Sequence, residues 1–248
     1  MRRVILTVML AAGAATSASG GILYAVDDGR DLLFTIDTDL LTVTPVGSLG
    51  TGGDFGDLAY DNATGTMFYV GGRGNDSLYT VNLATGAATL VGAHGVSDMF
   101  ALGVDDQGQL YGQATSGQVY RLDRNTGGAS GIGSNSVYPG GYDWTPGVGL
   151  VFIQAGGGDI FSVDRNTGAA TLLASPGGIN DCDIAYDPDK GVHWAADWSG
   201  NLFQYDGAWN QSMVLSGLSS VAALEYVPAP SALAVLGLGG LTAMRRRR

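Results

Sequence analysis

The stretch Ser77 to Gly92, SLYTVNLATGAATLVG, holds two short runs of β-forming residues, Leu78 to Val81 and Ala88 to Val91, around a polar turn closed by Gly86. Two such runs around a Gly-closed turn predict a β-hairpin. The pattern returns as VYRLDRNTGGASGIG (Val119 to Gly133) and IFSVDRNTGAATLLA (Ile160 to Ala174). Degraded copies lie at LFTIDTDLLTVTPVG (Leu33 to Gly47) and LFQYDGAWNQSMVLS (Leu202 to Ser216), which makes five.

Aromatic-centred columns fix the period. Phe34, Tyr79, Tyr120, Phe161 and Phe203 lie 45, 41, 41 and 42 residues apart. One strand earlier, Tyr24, Tyr69, Tyr111, Phe152 and Trp194 lie 45, 42, 41 and 42 apart, and Tyr60, Val104, Trp144 and Tyr186 mark a further strand upstream. Each repeat thus supplies four strands, A to D. Four short strands every 40 to 45 residues is the signature of a β-propeller blade. The first repeat starts at strand B (Ile22 to Val26), and its missing strand A is found at the other end, where Ala223 to Val227 matches Asp57 to Asp61 position by position. The expected fold is all-β: a five-bladed β-propeller of four-stranded blades over residues 21–227, closed by the C-terminal strand. Closure removes two open sheet edges.

Composition agrees. With 248 residues, 45% of them hydrophobic, the chain can bury a core, and 41 glycines against 7 prolines suit many tight turns. The formal charge of −11 conceals an asymmetry, because Arg2, Arg3 and Arg245 to Arg248 sit at the ends. The interior carries 6 basic residues against 23 acidic ones, a net of −17. Such a body repels phosphate backbones, which excludes nucleic acid as a partner and favours cations or basic surfaces. Cys182 is the sole cysteine, so no intrachain disulfide forms. His94 and His193 lack metal-ligand spacing and read as structural or surface residues. No G-x-S-x-G, Walker or H-E-x-x-H motif is present.

Both ends carry export signals. Met1-Arg2-Arg3, the apolar run Val4 to Ala12 and the small residues Ala15 to Gly20 have the three regions of a secretory signal peptide, assigned to residues 1–20. Residues 228–248 open with Pro228-Ala229-Pro230 after Val227, continue in an apolar run from Ser231 to Met244, and end in Arg245, Arg246, Arg247 and Arg248. This order resembles the C-terminal sorting signal of PEP-CTERM proteins, with Ala229 standing where that family has Glu. The resemblance implies an exosortase-like processing protease as partner, a transient hydrophobic anchor helix in the membrane, and a place in the Gram-negative cell envelope or outside it. Physics is compatible: roughly 14 to 18 apolar residues cross a thin bilayer, and the arginines stay on the cytoplasmic side. The repeated middle resembles secreted bacterial propellers of the NHL, YVTN and quinoprotein-like neighbourhood, a likeness that carries no particular activity.

Candidate chemistry lies near the channel. On the face carrying the D-to-A and B-to-C loops, Asp54, Asp57, Asp98, Asp181 and Asp183 are hard oxygen donors able to hold Ca²⁺, or else solvated loop residues. Asp27, Asp28, Asp31, Asp76, Asp159 and Asp197 add to the same face. In strand A the column Ala59, Gly103, Asp143, Ala185, Glu225 replaces two small residues by carboxylates, a candidate acid and base pair or a structural network. The DxNTG turns read as structural caps. Trp198 and Trp209 are candidate ligand contacts or blade-packing residues. Together these features predict an exported, non-catalytic binding module for extracellular polysaccharide or a protein, with a Ca²⁺-assisted hydrolase or lyase at the channel mouth as the alternative.

Overall fold

The computed structural model describes residues 20–179 and 182–229. Blade 1 takes its innermost strand from the C-terminus. β20 (Val221–Val227) pairs with β1 (Ile22–Asp27), followed outward by β2 (Leu32–Asp37) and β3 (Val43–Ser48). In register, Leu224 faces Ala25 and Val227 faces Ile22, so the ring closes as the repeat alignment requires. Blade 2 is β4 (Asp57–Asp61), β5 (Thr66–Val70), β6 (Ser77–Val81) and β7 (Ala88–Ala93). Blade 3 is β8 (Met99–Val104), β9 (Leu110–Ala114), β10 (Gln118–Leu122) and β11 (Ala129–Ser134). Blade 4 is β12 (Pro139–Thr145), β13 (Gly149–Gln154), β14 (Ile160–Val163) and β15 (Ala170–Ala174). Blade 5 is β16 (Cys182–Asp187), β17 (Val192–Asp197), β18 (Asn201–Tyr205) and β19 (Gln211–Ser216). All pairings are antiparallel, and the innermost strands β4, β8, β12, β16 and β20 follow one another around the axis.

The core is divided into five clusters, one at each junction between blades. Val151, Ile153 and Ile160 of blade 4, for example, meet Ile184, Ala195 and Tyr205 of blade 5. A recurring bulge supplies part of each junction. The C and D strands slip register at the aromatic column in every blade, between Leu33 and Phe34, Leu78 and Tyr79, Val119 and Tyr120, Ile160 and Phe161, and Leu202 and Phe203. A bulge turns one extra side chain out of the strand's alternation. The residues skipped opposite it, Val46, Val91, Ile132, Leu173 and Val214, pack into the cluster shared with the following blade. The outermost strand, otherwise exposed, is thereby tied to its neighbour.

The DxNTG turns also join blades. The side chains of Asp123 and Asp164 each accept two backbone N–H bonds, at 2.8 and 3.1 Å and at 2.8 and 3.0 Å, closing the turn upon itself. Gly127 adopts φ +79°, and a Cβ there would lie 2.4 Å from the Gly92 carbonyl oxygen of blade 2. Glycine is thus required for conformation and for close approach. The following Arg reaches the preceding blade: Arg124 pairs with Asp61 and Arg165 with Asp105, each at 2.7 Å. The caps are structural, as expected, and the Arg links are an addition that the turn motif alone did not reveal.

Among the described residues, the single helical piece is a 3-10 turn at Asp28–Arg30, and no helix is long and apolar enough to cross a membrane. Apart from Gly20, Val227, Pro228 and Ala229, the expected signal peptide and sorting segment lie outside the described residues.

Candidate functional site

Each innermost strand has a hydrogen-bonding neighbour on its outer side only, so its other edge presents unpaired backbone N–H groups near the axis. Buried donors left unpaired are costly. Four carboxylates meet that demand, in two tiers. In the first tier, Asp57 accepts from Leu58 N at 2.7 Å, Leu102 N at 2.5 Å and Tyr142 N at 3.1 Å. Asp183 accepts from Ile184 N at 2.6 Å and from Leu224 N at 2.5 Å. In the second tier, one oxygen of Asp143 accepts from Trp144 N at 2.5 Å and the other from Tyr186 N. Glu225 accepts from Tyr226 N at 2.9 Å, with the Tyr60 amide also directed at it. Each carboxylate therefore latches its own blade to one ahead in the ring.

The intervening positions are small because the carboxylates need the space. The first tier reads Asp57, Ala101, Gly141, Asp183, Ala223, and a Cβ on Gly141 would fall 1.4 Å from Asp183 Oδ1. The second tier is the column Ala59, Gly103, Asp143, Ala185, Glu225. The sequence reading isolated this second tier but assigned Asp57 and Asp183 to a loop-borne cation site. Both are instead wholly buried in the axial column.

No basic side chain pairs with any of the four among the described residues. Burial raises the Asp57 carboxyl well above the usual range, helped by the charge of Asp183. Burial and then Asp143 do the same to Glu225. Burial lifts Asp143 and Asp183 to about 7, against the lowering effect of their hydrogen bonds. Asp57 and Asp183 also act on each other, the charge of Asp183 raising Asp57, so ionisation of one disfavours ionisation of the other.

The two mouths of the axis differ in chemistry. At the D-to-A face, Phe55 stacks on Trp198 with centroids 4.4 Å apart and on Phe100 at 5.4 Å, and Phe100 meets Tyr138 edge-on. The Arg73 guanidinium covers Phe55 at 4.7 Å and pairs with Asp54 at 3.1 Å. Phe55 has φ +57°, a left-handed conformation that costs a residue with a Cβ roughly 1–2 kcal/mol. Its amide is held by Asp28 Oδ1 at 2.8 Å, and burial raises the Asp28 carboxyl to about 6.

The predicted Ca²⁺ donors are therefore not gathered. Asp54 is paired with Arg73, Asp57 and Asp183 are axial, Asp98 sits in a left-handed turn at φ +54°, and Asp181 lies outside the described residues. Among the described residues no three His, Cys, Asp or Glu side chains converge as a metal cage.

The opposite mouth opens as a recess of about 270 Å³. Tyr60, Trp144, Tyr186 and Tyr226 line it together with Asp143 and Glu225, and Asp61 and Asp105 stand at its rim. The two strand-A carboxylates singled out from sequence thus share one recess, on the face opposite the one expected to carry ligands.

The two candidate tryptophans part company. Trp198 belongs to the D-to-A cluster, whereas Trp209 packs on His193 at 4.4 Å and Tyr205 at 6.5 Å in the junction of blades 4 and 5. His193 is buried, sits 2.8 Å from the Thr145 hydroxyl, and is pushed down to about 4 by burial. His94 is also buried, and burial likewise lowers its pKa.

No family model matches the chain, and no curated protein matches it. Among solved structures it is similar to a Bacteroides thetaiotaomicron protein of unknown function, with TM-score 0.58, 14% identity, and coverage of 88% of this chain and 69% of that one. At that identity the likeness establishes the propeller fold alone.

Proposed function

We propose that this protein is an exported, envelope-associated and non-catalytic binding module that takes a neutral extracellular polysaccharide at its D-to-A mouth. The observation that carries the reading is the Phe55–Trp198 stack, continued by Phe100 and the exposed Tyr138 across the end of the axis. Flat aromatic faces bury the C–H faces of sugar rings at little entropic cost. Phe55, stacked on Trp198 and Phe100 and covered by Arg73, packs the cluster, and its strained backbone, held by Asp28, is consistent with a ring that sets the place of the Trp198 and Tyr138 faces. The net of −17 over the interior argues against an anionic glycan.

Export and envelope attachment rest on the N-terminal segment and on the PEP-CTERM-like order Pro228-Ala229-Pro230, apolar run, arginines. Both oxygens of Asp143 are engaged by fixed backbone amides, which suits a latch better than an acid poised over a substrate.

The test is calorimetric titration and affinity electrophoresis with neutral and anionic polysaccharides. Neutral glycan binding weakened at least tenfold in Trp198→Ala and Tyr138→Ala is the expected result. Binding unaffected by both substitutions, or confined to anionic polymers, refutes it.

A further inference from the structure

The recess at the opposite mouth is a second site, independent of the glycan reading. Its walls are the aromatic residues Tyr60, Trp144, Tyr186 and Tyr226, and its floor includes Asp143 and Glu225. Those two residues are only 9% and 4% exposed. The rim acids differ from them: Asp61 is neutralised by Arg124 and Asp105 by Arg165, both at 2.7 Å. Among the described residues the floor pair has no such cation, although it is the more deeply placed.

We infer that this recess binds a small organic ammonium group, its charge set over Asp143 and Glu225 and its alkyl substituents against the surrounding aromatic rings. Aromatic faces attract a desolvated cation through the ring quadrupole, and they do so best for weakly hydrated ammonium ions. A hard divalent ion fits less well. It requires six to eight oxygen donors, whereas no three acidic side chains here converge as a cage, and the carboxylate oxygens already accept backbone amides. The volume also exceeds what one bare ion fills. Each carboxylate oxygen retains a second lone pair, so an ammonium N–H can be accepted without breaking the latches.

Binding is then coupled to proton release, because Asp143 is held near 7 and Glu225 well above the usual range while the recess is free of cation. A cation at the floor favours the ionised forms of both.

The experiment is calorimetric titration of the full chain with methylammonium and trimethylammonium chloride and with Nα-acetyl-lysine amide. It is run in two buffers of different ionisation enthalpy, with tert-butanol and calcium chloride as comparison arms. The ammonium compounds should bind with a heat that depends on the buffer. Affinity should rise about tenfold from pH 6 to pH 8, the change in ionised fraction of a group titrating at 7. Glu225→Gln and Tyr186→Leu should each weaken binding at least tenfold, and Tyr186→Phe should preserve it.

Binding by the lysine derivative alone identifies a partner's side chain as the source, and binding by the simple amines identifies a free metabolite. Either supports the site. The inference is overturned by absence of ammonium binding, by equal affinity for tert-butanol, by calcium binding lost in Glu225→Gln, or by heats indifferent to buffer and pH. Should Glu225→Gln fail to fold, the buffer and pH dependence of the unaltered protein decides alone.

Discussion

Raising the pH from 6 to 8 should weaken the fold, because the axis stores protons that the unfolded chain releases. Asp143 and Asp183 titrate at about 7 when folded, against 3.8 ordinarily. A carboxyl whose folded pKa is raised contributes stability that is complete below pH 3.8 and is lost as pH rises through 7. Each pH unit over which a group is protonated only when folded is equivalent to about 1.4 kcal/mol. Between pH 6 and pH 8 the two aspartates together account for roughly 3 kcal/mol, about 2 of it below pH 7.

Asp57 and Glu225, raised further, extend the loss toward pH 8. His193 opposes it. Its folded value near 4 means that acidification through its ordinary 6.5 destabilises, by about 0.8 kcal/mol between pH 8 and pH 6. The carboxyls win, and the net expectation is a loss of at least about 2 kcal/mol between pH 6 and pH 8. Urea unfolding followed by tryptophan fluorescence at half-unit pH steps measures it. Asp183→Asn should flatten the slope while lowering stability at pH 6, since its amide cannot accept from both Ile184 N and Leu224 N. Stability that is level or rises from pH 6 to pH 8 would refute the buried-proton argument.

Two further outcomes follow from the same geometry. Gly141→Ala should cost about 3 kcal/mol or more, because its Cβ would displace the Asp183 carboxylate. Gly103→Ala, whose Cβ would meet Tyr142 Cβ at 3.1 Å and Leu150 Cδ2 at 3.2 Å, should cost much less, and thermal melts of the two variants compare them directly. Deleting residues 221–248 removes β20 and leaves β1 an open inner edge, so cooperative melting should vanish and size-exclusion chromatography should show association.

The fold was legible because repetition multiplies weak signals. One hairpin of the Ser77 to Gly92 kind is ambiguous, but five in step, with β20 matching β4, leave little freedom in topology. The second-tier carboxylates were legible too, as acids in a column of small residues. Asp57 and Asp183 were not, because Asp57 opens β4 and Asp183 is second in β16, at strand starts where sequence does not separate a loop donor from an axial latch. The aromatic cluster was only partly visible. Trp198 was marked, but Phe55 enters through a left-handed backbone in a long D-to-A loop, with no periodicity to announce it. The recess could not be read at all, since Tyr60, Trp144, Tyr186 and Tyr226 look in sequence like ordinary core positions.

Where the repeats lose their pattern, the losses are matched across a junction. Asp61 and Asp105 receive an Arg from the turn of the next blade, but the equivalent acid of blade 4 is Thr145, and the turn of blade 5 carries Gly207 where Arg124 and Arg165 stand. An arginine there would be a buried charge without a partner. The turn is also one residue shorter, which puts Trp209 at φ +63°, with its ring over the His193 that hydrogen-bonds Thr145. An ion pair has been replaced by an aromatic and imidazole contact of the same reach. At the junction of blades 1 and 2, Val227 and Leu83 share one apolar cluster where the junctions of blades 2 with 3 and of 3 with 4 carry Asp and Arg. Paired departures of this sort preserve the ring. At the junction of blades 5 and 1 the acid, Asp187, remains while Thr38 replaces the Arg, and Trp194 Nε1 takes up its carboxylate. Asp143 and Glu225 have no counter-charge among the described residues, and they coincide with the aromatic-lined recess, so a bound cation would complete them.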